Sequence, residues 1–297
     1  MIICPNCSNS KYKASVGVCA HCGWKLELTD GLPNYFTVRD RESALIDDYV
    51  ENYDELAIKN LRVSNIDRTF LKNQAINLLK YIPTVRGLDV CDLGIGQGFL
   101  CDNLLASGVK SVCAIDVSST YLQRFIGHEA VVPYLANAEH LPFENEFDLV
   151  ASTDVMEHVI NVGSFLYSVN RSLKAGGIAA IRVPYREGLI GYSPHMGYSH
   201  SFGHLRSFNK DLLKIYMEQA GFKVKSFHLD GFSTGTPHPY LYSTHKRKVW
   251  YNRLANFMNR KLKHPADATL LNPHLAKLVM RPVEIVVIAV KKNMPLV

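Results

Sequence analysis

The nine residues that decide the fold of this chain read Val90-Cys91-Asp92-Leu93-Gly94-Ile95-Gly96-Gln97-Gly98. The apolar start of this stretch predicts a buried strand, and the apolar spacing from Phe99 to Leu105 predicts a helix directly after the glycines. Because glycine has no Cβ atom, its backbone can turn sharply and approach a ligand closely. A strand, a glycine-rich turn and a helix in this order are typical of a parallel α/β sheet with a ligand at the carboxyl end of the strand.

The glycine spacing and two acidic residues indicate the kind of ligand. A glycine-rich turn alone also fits a dinucleotide, but the spacing here is GxGxG rather than GxGxxG. Asp92, two positions before the first glycine, suits a cationic amino-acid group better than a pyrophosphate. Asp116 ends the next predicted strand about 20 residues downstream, where a carboxylate can accept hydrogen bonds from both hydroxyl groups of a ribose. The sequence therefore favours a ligand that carries a ribose and a cationic group.

Predicted strands recur along the rest of the core, with helical patterns between the early ones. They are Gly87–Leu93, Ser111–Asp116, Ala130–Asn137, Phe147–Thr153, Gly177–Val183, Phe222–Leu229 and Val283–Lys291. Strands that are separated by helices form right-handed crossovers and a parallel sheet. We therefore expect an α/β fold.

Two further segments complete an ordered set of motifs. They are Asn137–Phe143 and Phe147–Val159. The order of the motifs between about residues 78 and 183 resembles class I, S-adenosylmethionine-dependent methyltransferases of the ubiquinone-biosynthesis and sugar-tailoring type. This resemblance implies a Rossmann-like, seven-stranded methyltransferase sheet that binds S-adenosylmethionine.

The resemblance also assigns the residues that would bind this cofactor. The glycine loop would line its methionine end, whereas Asp116 and Val117 would contact the ribose and the adenine. The complete set is Asp92, Gly94, Ile95, Gly96, Gln97, Gly98, Asp116, Val117, Asn137, Ala138, Glu139 and Thr153. The resembled family commonly has Asp at the position of Asn137, where it accepts a hydrogen bond from the adenine amino group. An amide oxygen can also accept this bond, with weaker electrostatics.

Four of the seven cysteines lie in two CxxC pairs near the start of the chain, Cys4 with Cys7 and Cys19 with Cys22. We do not expect a secretion signal here. In a chain without one, an odd number of cysteines argues against disulfides. A redox CxxC motif needs no matching second pair. Two such pairs supply the tetrahedral four-sulfur shell that Zn²⁺ prefers, and a shell closed by four cysteines is structural rather than catalytic. We therefore predict a structural zinc ribbon.

The chain is expected to divide into three parts. Residues 1–33 resemble the small zinc-binding modules that accompany several methyltransferases, because an alternating strand runs into an Asp-Gly turn there. Residues 34–84 have apolar residues at helical spacing, which indicates either a lid over the cofactor or helices that only cover the sheet. Residues 85–297 would form the methyltransferase domain, with an insertion at 233–281.

Candidate catalytic residues follow the fourth and fifth strands of the core. Asp154, Glu157 and His158 are spaced i, i+3 and i+4, which predicts that they share one face of a helix. We expect Asp154 and His158 near the site, and no metal, although this spacing occurs with a bound divalent ion in the resembled O-methyltransferases. His195 and His200 lie in the loop after the fifth strand, where substrates bind in this fold, and each is a candidate base.

The insertion combines an apolar stripe at helical spacing, which includes Trp250, Leu254 and Phe257, with a basic surface. The basic residues are Lys246, Arg247, Lys248, Arg253, Arg260, Lys261 and Lys263. A helix of this kind over residues 246–263 could make peripheral contact with an anionic membrane or hold a phosphorylated acceptor. The simpler expectation is a surface helix that packs its stripe on the core.

The composition sets the broad class of protein. A chain of 297 residues with 47% hydrophobic and 20% charged residues is an ordinary globular protein. Its net charge of +6 permits a nucleic-acid or anionic partner without requiring one. The apolar runs are far shorter than the roughly 20 residues of a membrane-spanning helix, and the first residues do not read as a signal peptide. We therefore predict a cytoplasmic protein.

Three functions remain open at this point. The first is a methyltransferase that acts on a small molecule, a sugar or a glycolipid. The second is an rRNA or tRNA base methyltransferase whose zinc ribbon recognises RNA, but the modest charge and the lack of an amine-positioning motif after the fourth strand count against it. The third is a non-catalytic S-adenosylmethionine-binding protein, which the intact glycine loop and Asp116 disfavour.

Overall fold

The computed structural model describes residues 1–62, 69–188, 203–232, 239–261 and 279–292. Within these ranges the strands form one sheet with the order β1-β2-β5-β4-β3-β6-β7-β9-β8. The strands are β1 (Glu27–Thr29), β2 (Leu32–Asn34), β3 (Asp89–Leu93), β4 (Ser111–Asp116), β5 (Val131–Leu135), β6 (Phe147–Thr153), β7 (Leu173–Pro184), β8 (Phe222–Asp230) and β9 (Glu284–Lys291). β3 to β7 run parallel, and β9 lies antiparallel between β7 and β8. The predicted α/β fold is confirmed, with all seven predicted strands present.

Helices cover both faces of this sheet. They are α1 (Val38–Arg41), α2 (Ala44–Arg62), α3 (Thr69–Lys80), α4 (Phe99–Ala106), α5 (Ser119–Leu122), α6 (Val162–Ser172), α7 (Lys210–Gln219), α8 (Pro239–Tyr242) and α9 (His245–Lys261). Successive residues of the central strands belong to two different buried clusters, because strand side chains alternate between faces. Val90 packs with α3, α4 and α5, whereas Cys91 packs with α6 and α7. Two covered faces explain why these strands are almost wholly apolar.

The N-terminal hairpin extends the sheet from seven strands to nine. Asp30 and Gly31 join β1 to β2 with φ angles of 51° and 80°, as a two-residue type I′ turn requires. β2 then pairs parallel to β5, with Asn34 beside Leu135. The Tyr35 N–H donates to the Leu135 carbonyl at 2.7 Å. The sequence pattern predicted the strand and the Asp-Gly turn, but not the second strand or its addition to the edge of the central sheet.

Trp24 anchors the N-terminal segment on the core. The indole is 2% exposed, stacks on Tyr35 with ring centroids 5.8 Å apart and meets the edge of Tyr12 at 5.5 Å. Its Nε1–H donates to the Phe36 carbonyl at 2.9 Å. A buried indole with its polar atom satisfied contributes a large apolar area without an unpaired donor.

The long helix of the insertion, α9, does not pack as its apolar stripe predicts. Of the α9 side chains that the structure describes, Tyr251 and Ala255 are buried, whereas Trp250 is 54% exposed and Phe257 is 59% exposed. The expectation that the stripe packs on the core is therefore wrong for these two aromatic residues. Among the helices of the described ranges, none is long and apolar enough to cross a bilayer.

Candidate functional site

A cavity of about 350 Å³ lies at the carboxyl ends of the central strands. Most of the predicted site residues line it together. They are Asp92, Gly94, Ile95, Gly96, Gln97, Gly98, Asp116, Val117, Ala138, Thr153, Asp154 and His158. The parallel sheet brings these separate segments together because all of its strands end at the same edge. We call this space the first cavity.

The glycine loop fits tightly between its neighbours. Gly94 has a φ of 80°, and a Cβ atom on it would lie 2.2 Å from Cγ2 of Val155. Gly98 has a φ of 78°, and a Cβ atom there would lie 2.1 Å from a guanidinium nitrogen of Arg124. Only glycine tolerates both a positive φ and so close an approach of neighbouring side chains to its Cα atom. The loop therefore brings its backbone against the first cavity at the start of α4.

Two buried carboxyl groups give the first cavity its electrostatic character. Asp92 is 1% exposed, and its Oδ2 has no hydrogen-bond partner among the described residues. Burial, helped by the charge of Asp116, raises the pKa of Asp92 to about 8. Burial also raises the pKa of Asp116 to about 6, although the backbone N–H groups of Gly96 and Ser118 donate to its carboxylate at 3.0 Å and oppose the rise. A cationic ligand would favour the ionised form of both groups.

Asn137 and Glu139 are not among the residues that line the first cavity. The Asn137 side chain donates from Nδ2 to Asp40 at 2.9 Å and accepts from the Glu139 N–H at 2.9 Å. The Glu139 carboxylate accepts from the Ile160 N–H at 2.8 Å. The assignment of these two side chains to the cofactor stays a prediction, because their hydrogen bonds hold the strand-end loop and only Ala138 between them reaches the wall.

Asp40 connects the N-terminal segment to this loop. The carboxylate is 3% exposed and accepts hydrogen bonds from the Thr37 N–H at 2.9 Å, the Thr37 hydroxyl at 2.7 Å and Asn137. His140 lies 3.4 Å away as an ion-pair partner. Burial alone would raise the pKa of Asp40, but the hydrogen bonds from His140, Thr37 and Asn137 outweigh it and lower the pKa. We call this group of contacts the Asp40 bridge.

The N-terminal helices form one wall of the first cavity. Tyr49, Tyr53 and Leu56 of α2 line it, as do Gln74 and Ala75 of α3. Whether these helices act as a lid over the cofactor or only cover the sheet, the two interpretations that the sequence allowed, stays a prediction. Burial raises the pKa of both tyrosines, so their hydroxyl groups stay protonated and can donate hydrogen bonds.

Sequence reasoning missed Arg182, which lines the first cavity from β7. Its guanidinium is 3% exposed, contacts Asp154 in an ion pair and lies 3.6 Å from Glu284. Glu284 in turn accepts a hydrogen bond from Gln74. A lone cation within the apolar sequence Ile181-Arg182-Val183 was the available signal, since a buried arginine needs acidic partners.

The segment after β6 is a turn rather than the predicted helix. Asp154 has a φ of 55°, and α6 begins only at Val162. A left-handed residue at the start and an N-cap at Asn161 explain why no helix spans the segment. Asp154 therefore contacts Arg182, while Glu157 points into the core with both carboxylate oxygens lacking partners among the described residues. Burial, with the charge of Asp154, raises the pKa of Glu157 well above its usual value.

His158 joins the first cavity to a second histidine. Its ring meets the His204 ring edge-on at 4.7 Å, and His204 pairs with Glu187. Burial and the charge of His204 lower the pKa of His158 to about 4, so the imidazole is neutral at pH 7. Ligand atoms of Glu157, His158 and His204 lie within 4.8 Å of one another, a spacing that could also hold a cation. The other predicted bases, His195 and His200, lie outside the described residues.

A second cavity of about 1150 Å³ lies beside the ends of β7, β8 and the start of β9. Its wall includes Tyr81 and His228, whose rings stack 4.0 Å apart, and the cationic Arg186 and Arg281. Glu187, the partner of His204, lines it as well. The Glu187–His204–His158 contacts therefore connect the two cavities.

The four N-terminal cysteines form a compact cluster. Their Sγ atoms lie within 4.8 Å of one another, and the Cys4–Cys22 and Cys7–Cys19 distances are both 3.7 Å. A tetrahedral ZnS₄ centre with Zn–S bonds of about 2.3 Å has sulfur atoms about 3.8 Å apart. The four thiols are free of disulfides. Their geometry fits a zinc ion.

Comparison with known sequences identifies the core. A family model described as "Methyltransferase domain" matches residues 64–226, more than half of the chain. A ubiquinone biosynthesis O-methyltransferase of Bradyrhizobium sp. (strain ORS 278) is 29% identical over 106 residues, which cover 34% of this chain and 42% of that protein. A Mycobacterium tuberculosis (strain H37Rv) protein named as an S-adenosylmethionine-dependent methyltransferase is 26% identical over 160 residues, covering 53% of this chain and 57% of that protein. The chain thus spans roughly half the length of these curated relatives.

Solved structures show the same fold. A chain from the complex between the Haloferax volcanii Trm112 methyltransferase activator and a methyltransferase aligns with a TM-score of 0.56 and 16% identity, covering 81% of this chain and 98% of that chain. Haemonchus contortus phosphoethanolamine N-methyltransferase 2, solved with S-adenosyl-L-methionine, aligns with a TM-score of 0.51 and 18% identity, covering 82% of this chain and 60% of that chain.

Proposed function

The chain belongs to the methyltransferase-domain family, with an S-adenosylmethionine-dependent methyltransferase core, and from this premise we propose that it methylates a small-molecule acceptor such as a sugar or glycolipid. The observation that carries the proposal is the meeting of Asp92, Asp116 and the glycine loop in the first cavity. The second cavity, of about 1150 Å³, is large enough for a sugar or another small acceptor.

The first cavity fits the cofactor's chemistry. When bound, S-adenosylmethionine supplies a methyl group on a cationic sulfur. The acceptor atom would bond to the methyl carbon as the bond from that carbon to the sulfur breaks, and the sulfur would leave as a neutral thioether. The unpaired Oδ2 of Asp92 would bind the ammonium group of the methionine end, and Asp116 would accept the ribose hydroxyls. Tyr49 and Tyr53 would cover the bound molecule and exclude water.

His158 would remove the acceptor's proton. It lines the first cavity, and its pKa of about 4 leaves the imidazole neutral at pH 7, with an unprotonated nitrogen. Because a base with this pKa is weak, it suits an acceptor whose own proton is acidic. Glu187 would orient His204 beside it, and its charge opposes the lowering of the His158 pKa. Asp154 is a positioning residue in this scheme, because its carboxylate is paired with Arg182.

We further propose that Cys4, Cys7, Cys19 and Cys22 bind one structural zinc ion. The 3.7 Å separations of their sulfur atoms support this assignment. An ion that closes this cluster would stabilise the segment that carries Trp24 and the Asp40 bridge.

Calorimetric titration with S-adenosylmethionine tests the donor site. We expect saturable binding that Asp116→Ala weakens at least about tenfold, because the ribose loses its acceptor. Asp211→Ala, which removes an exposed acid at the start of α7, is the matched control and should bind like the wild type. Absence of binding by a folded wild-type protein would refute the donor assignment.

Metal analysis of the purified protein tests the zinc site. We expect one zinc per chain, reduced in Cys7→Ser, with Cys113→Ser as a control because that thiol lies in the core sheet. A preparation with intact, folded protein and substoichiometric zinc would contradict the assignment.

RNA is the second candidate acceptor, because a small cysteine cluster and a basic helix occur in the same chain. Incubation with methyl-labelled donor and fractionated cell extract separates the two candidates. We expect the label in the small-molecule or lipid fraction. Label in nuclease-sensitive material would replace the small-molecule proposal with an RNA one.

A further inference from the structure

The outward face of α9 carries an alternating row of cations and aromatic rings. Lys246, Trp250, Arg253 and Phe257 are spaced i, i+4, i+7 and i+11, so they form a single stripe along the helix. All four side chains are exposed. We call these four residues the α9 stripe; at about 1.5 Å per residue it is about 16 Å long.

The stripe is directed away from the protein. The buried residues of α9, Tyr251 and Ala255, lie on the opposite side of the helix at 100° per residue. The helix therefore packs on the molecule through one face and leaves the aromatic side chains of Trp250 and Phe257 on the other. Two exposed aromatic rings on one short stripe indicate a binding surface.

The charge around the stripe selects an anionic partner. α9 contains no acidic residue from His245 to Lys261. The neighbouring Arg247 guanidinium packs 3.7 Å from the centre of the Tyr240 ring, which adds another cation and an exposed aromatic residue to the same region. A protein partner would have to supply a complementary acidic groove, whereas an anionic lipid surface supplies both negative charge and an apolar layer.

The shape of the stripe favours a lipid surface over RNA. Proteins that hold single-stranded nucleic acid combine stacked rings with a basic groove that follows the backbone. The stripe is instead an exposed face of a single helix, without a groove between elements, and such a face fits a flat interface. Tryptophan suits the interface of a bilayer, where one part of its ring is apolar and the N–H remains hydrated.

We propose that the α9 stripe is a peripheral docking site for anionic lipid bilayers. Trp250 and Phe257 enter the headgroup region, and Lys246 and Arg253 contact lipid phosphates. The proposal goes beyond methyl transfer and stands whether or not the acceptor is a lipid, because its test has no catalytic readout.

Vesicle co-sedimentation of the full chain tests the proposal. We expect binding to vesicles of phosphatidylcholine and phosphatidylglycerol in equal parts, little binding to phosphatidylcholine alone, and loss of binding in about 1 M salt, where the Debye length is near 3 Å. Trp250→Ser with Phe257→Ser should lower the partition coefficient tenfold or more, since each ring contributes apolar burial.

Matched variants separate the stripe from general surface effects. Tyr167→Ser removes a 55% exposed ring that lies beside Arg171 on α6, and it should bind vesicles like the wild type. Lys246→Glu with Arg253→Glu should abolish binding, whereas Lys214→Glu with Lys223→Glu should reduce it only slightly. Because Trp24 is buried, a blue shift of tryptophan emission on adding anionic vesicles reports on Trp250.

Three results would overturn the proposal. They are no sedimentation of the folded wild type, equal binding to neutral and anionic vesicles, and wild-type binding by the Trp250/Phe257 double variant. Retention of labelled RNA by the wild type, lost in the same double variant and without vesicle binding, would assign the stripe to RNA instead.

Discussion

The two tryptophans of the chain lie in opposite environments. Trp24, beside β2, is 2% exposed and fully hydrogen-bonded, whereas Trp250, in the insertion between β8 and β9, is 54% exposed. We call the N-terminal segment and the first cavity, which buried contacts hold together, the donor flank of the proposed function. We call the chain from β8 to β9, which includes α9 and several residues of the second cavity, the acceptor flank; it presents exposed aromatic and cationic groups. The same residue type therefore stabilises one flank and is available for binding on the other.

The largest expected difference between the flanks is in stability. Trp24→Ala should lower the free energy of unfolding by about 3–5 kcal/mol, because it leaves a cavity between Tyr12 and Tyr35. Trp250→Ala should change it by less than about 0.5 kcal/mol. Urea denaturation followed by circular dichroism measures both, and equal effects would abolish the contrast between the flanks.

The Asp40 bridge should come next in size. Asp40→Ala leaves the buried Asn137 amide and the Thr37 hydroxyl without their acceptor, at a cost of about 2–3 kcal/mol in unfolding free energy. It should also weaken binding of S-adenosylmethionine about fivefold or more, because the bridge holds the loop that carries Ala138. Asp47→Ala, an exposed acid in the first turn of α2, is the control. Lost stability with unchanged donor affinity would restrict the bridge to a structural role.

The pH dependence of the donor flank should follow Asp92 and Asp116. Their folded-state pKa values, about 8 and about 6, are raised above the ordinary 3.8. Between about pH 4 and pH 8, the ligand-free fold therefore binds more protons than the unfolded chain. The free energy of unfolding should therefore fall as pH rises from about 4 to 8. Donor affinity should rise between pH 6 and 8, because a cationic ligand requires the ionised carboxylates.

Thermal unfolding without donor and calorimetry with donor, at matched pH values, measure these two opposite trends. Asp92→Asn should flatten both of them between pH 7 and 8. Parallel trends, or trends that Asp92→Asn leaves unchanged, would show that other groups titrate.

The smallest expected effect concerns the outer strand β1. Leu28 is 70% exposed on it, so Leu28→Lys should change the free energy of unfolding by less than about 0.5 kcal/mol. A larger loss would mean that β1 is more closely packed on the donor flank than its exposure indicates, and urea denaturation would reveal it.

The sequence predicted the features that depend on local pattern. Strand periodicity located the core strands, the glycines marked the loop that lines the first cavity, and the cysteine spacing marked the cluster of four cysteines. Features that depend on distant contacts were missed. Nothing near Asp40 indicates that it meets Asn137 and His140, which are about a hundred residues away, because only the pairing of β2 with β5 brings them together.

The turn after β6 and the helix α9 show two further limits. Helical spacing from Asp154 to His158 predicted a helix, but the left-handed backbone of Asp154 and its ion pair with Arg182 decide the local structure. In α9 the apolar stripe identified a helix correctly, but periodicity gives only the angle between residues. Which side packs on the core depends on the neighbouring elements, so Tyr251 is buried and Trp250 is not.

The pairing of β2 with β5 has a consequence for assembly. A cysteine-rich module on the same chain is present at an effective concentration set by its short connection, so it reaches the end of β5 at any dilution. β2 pairs with β5 at Leu135, which protects the carboxyl end of this edge strand from the addition of another chain. At that end the new edge is β1, with only three residues. Strand addition there is therefore disfavoured by the connectivity of the chain itself.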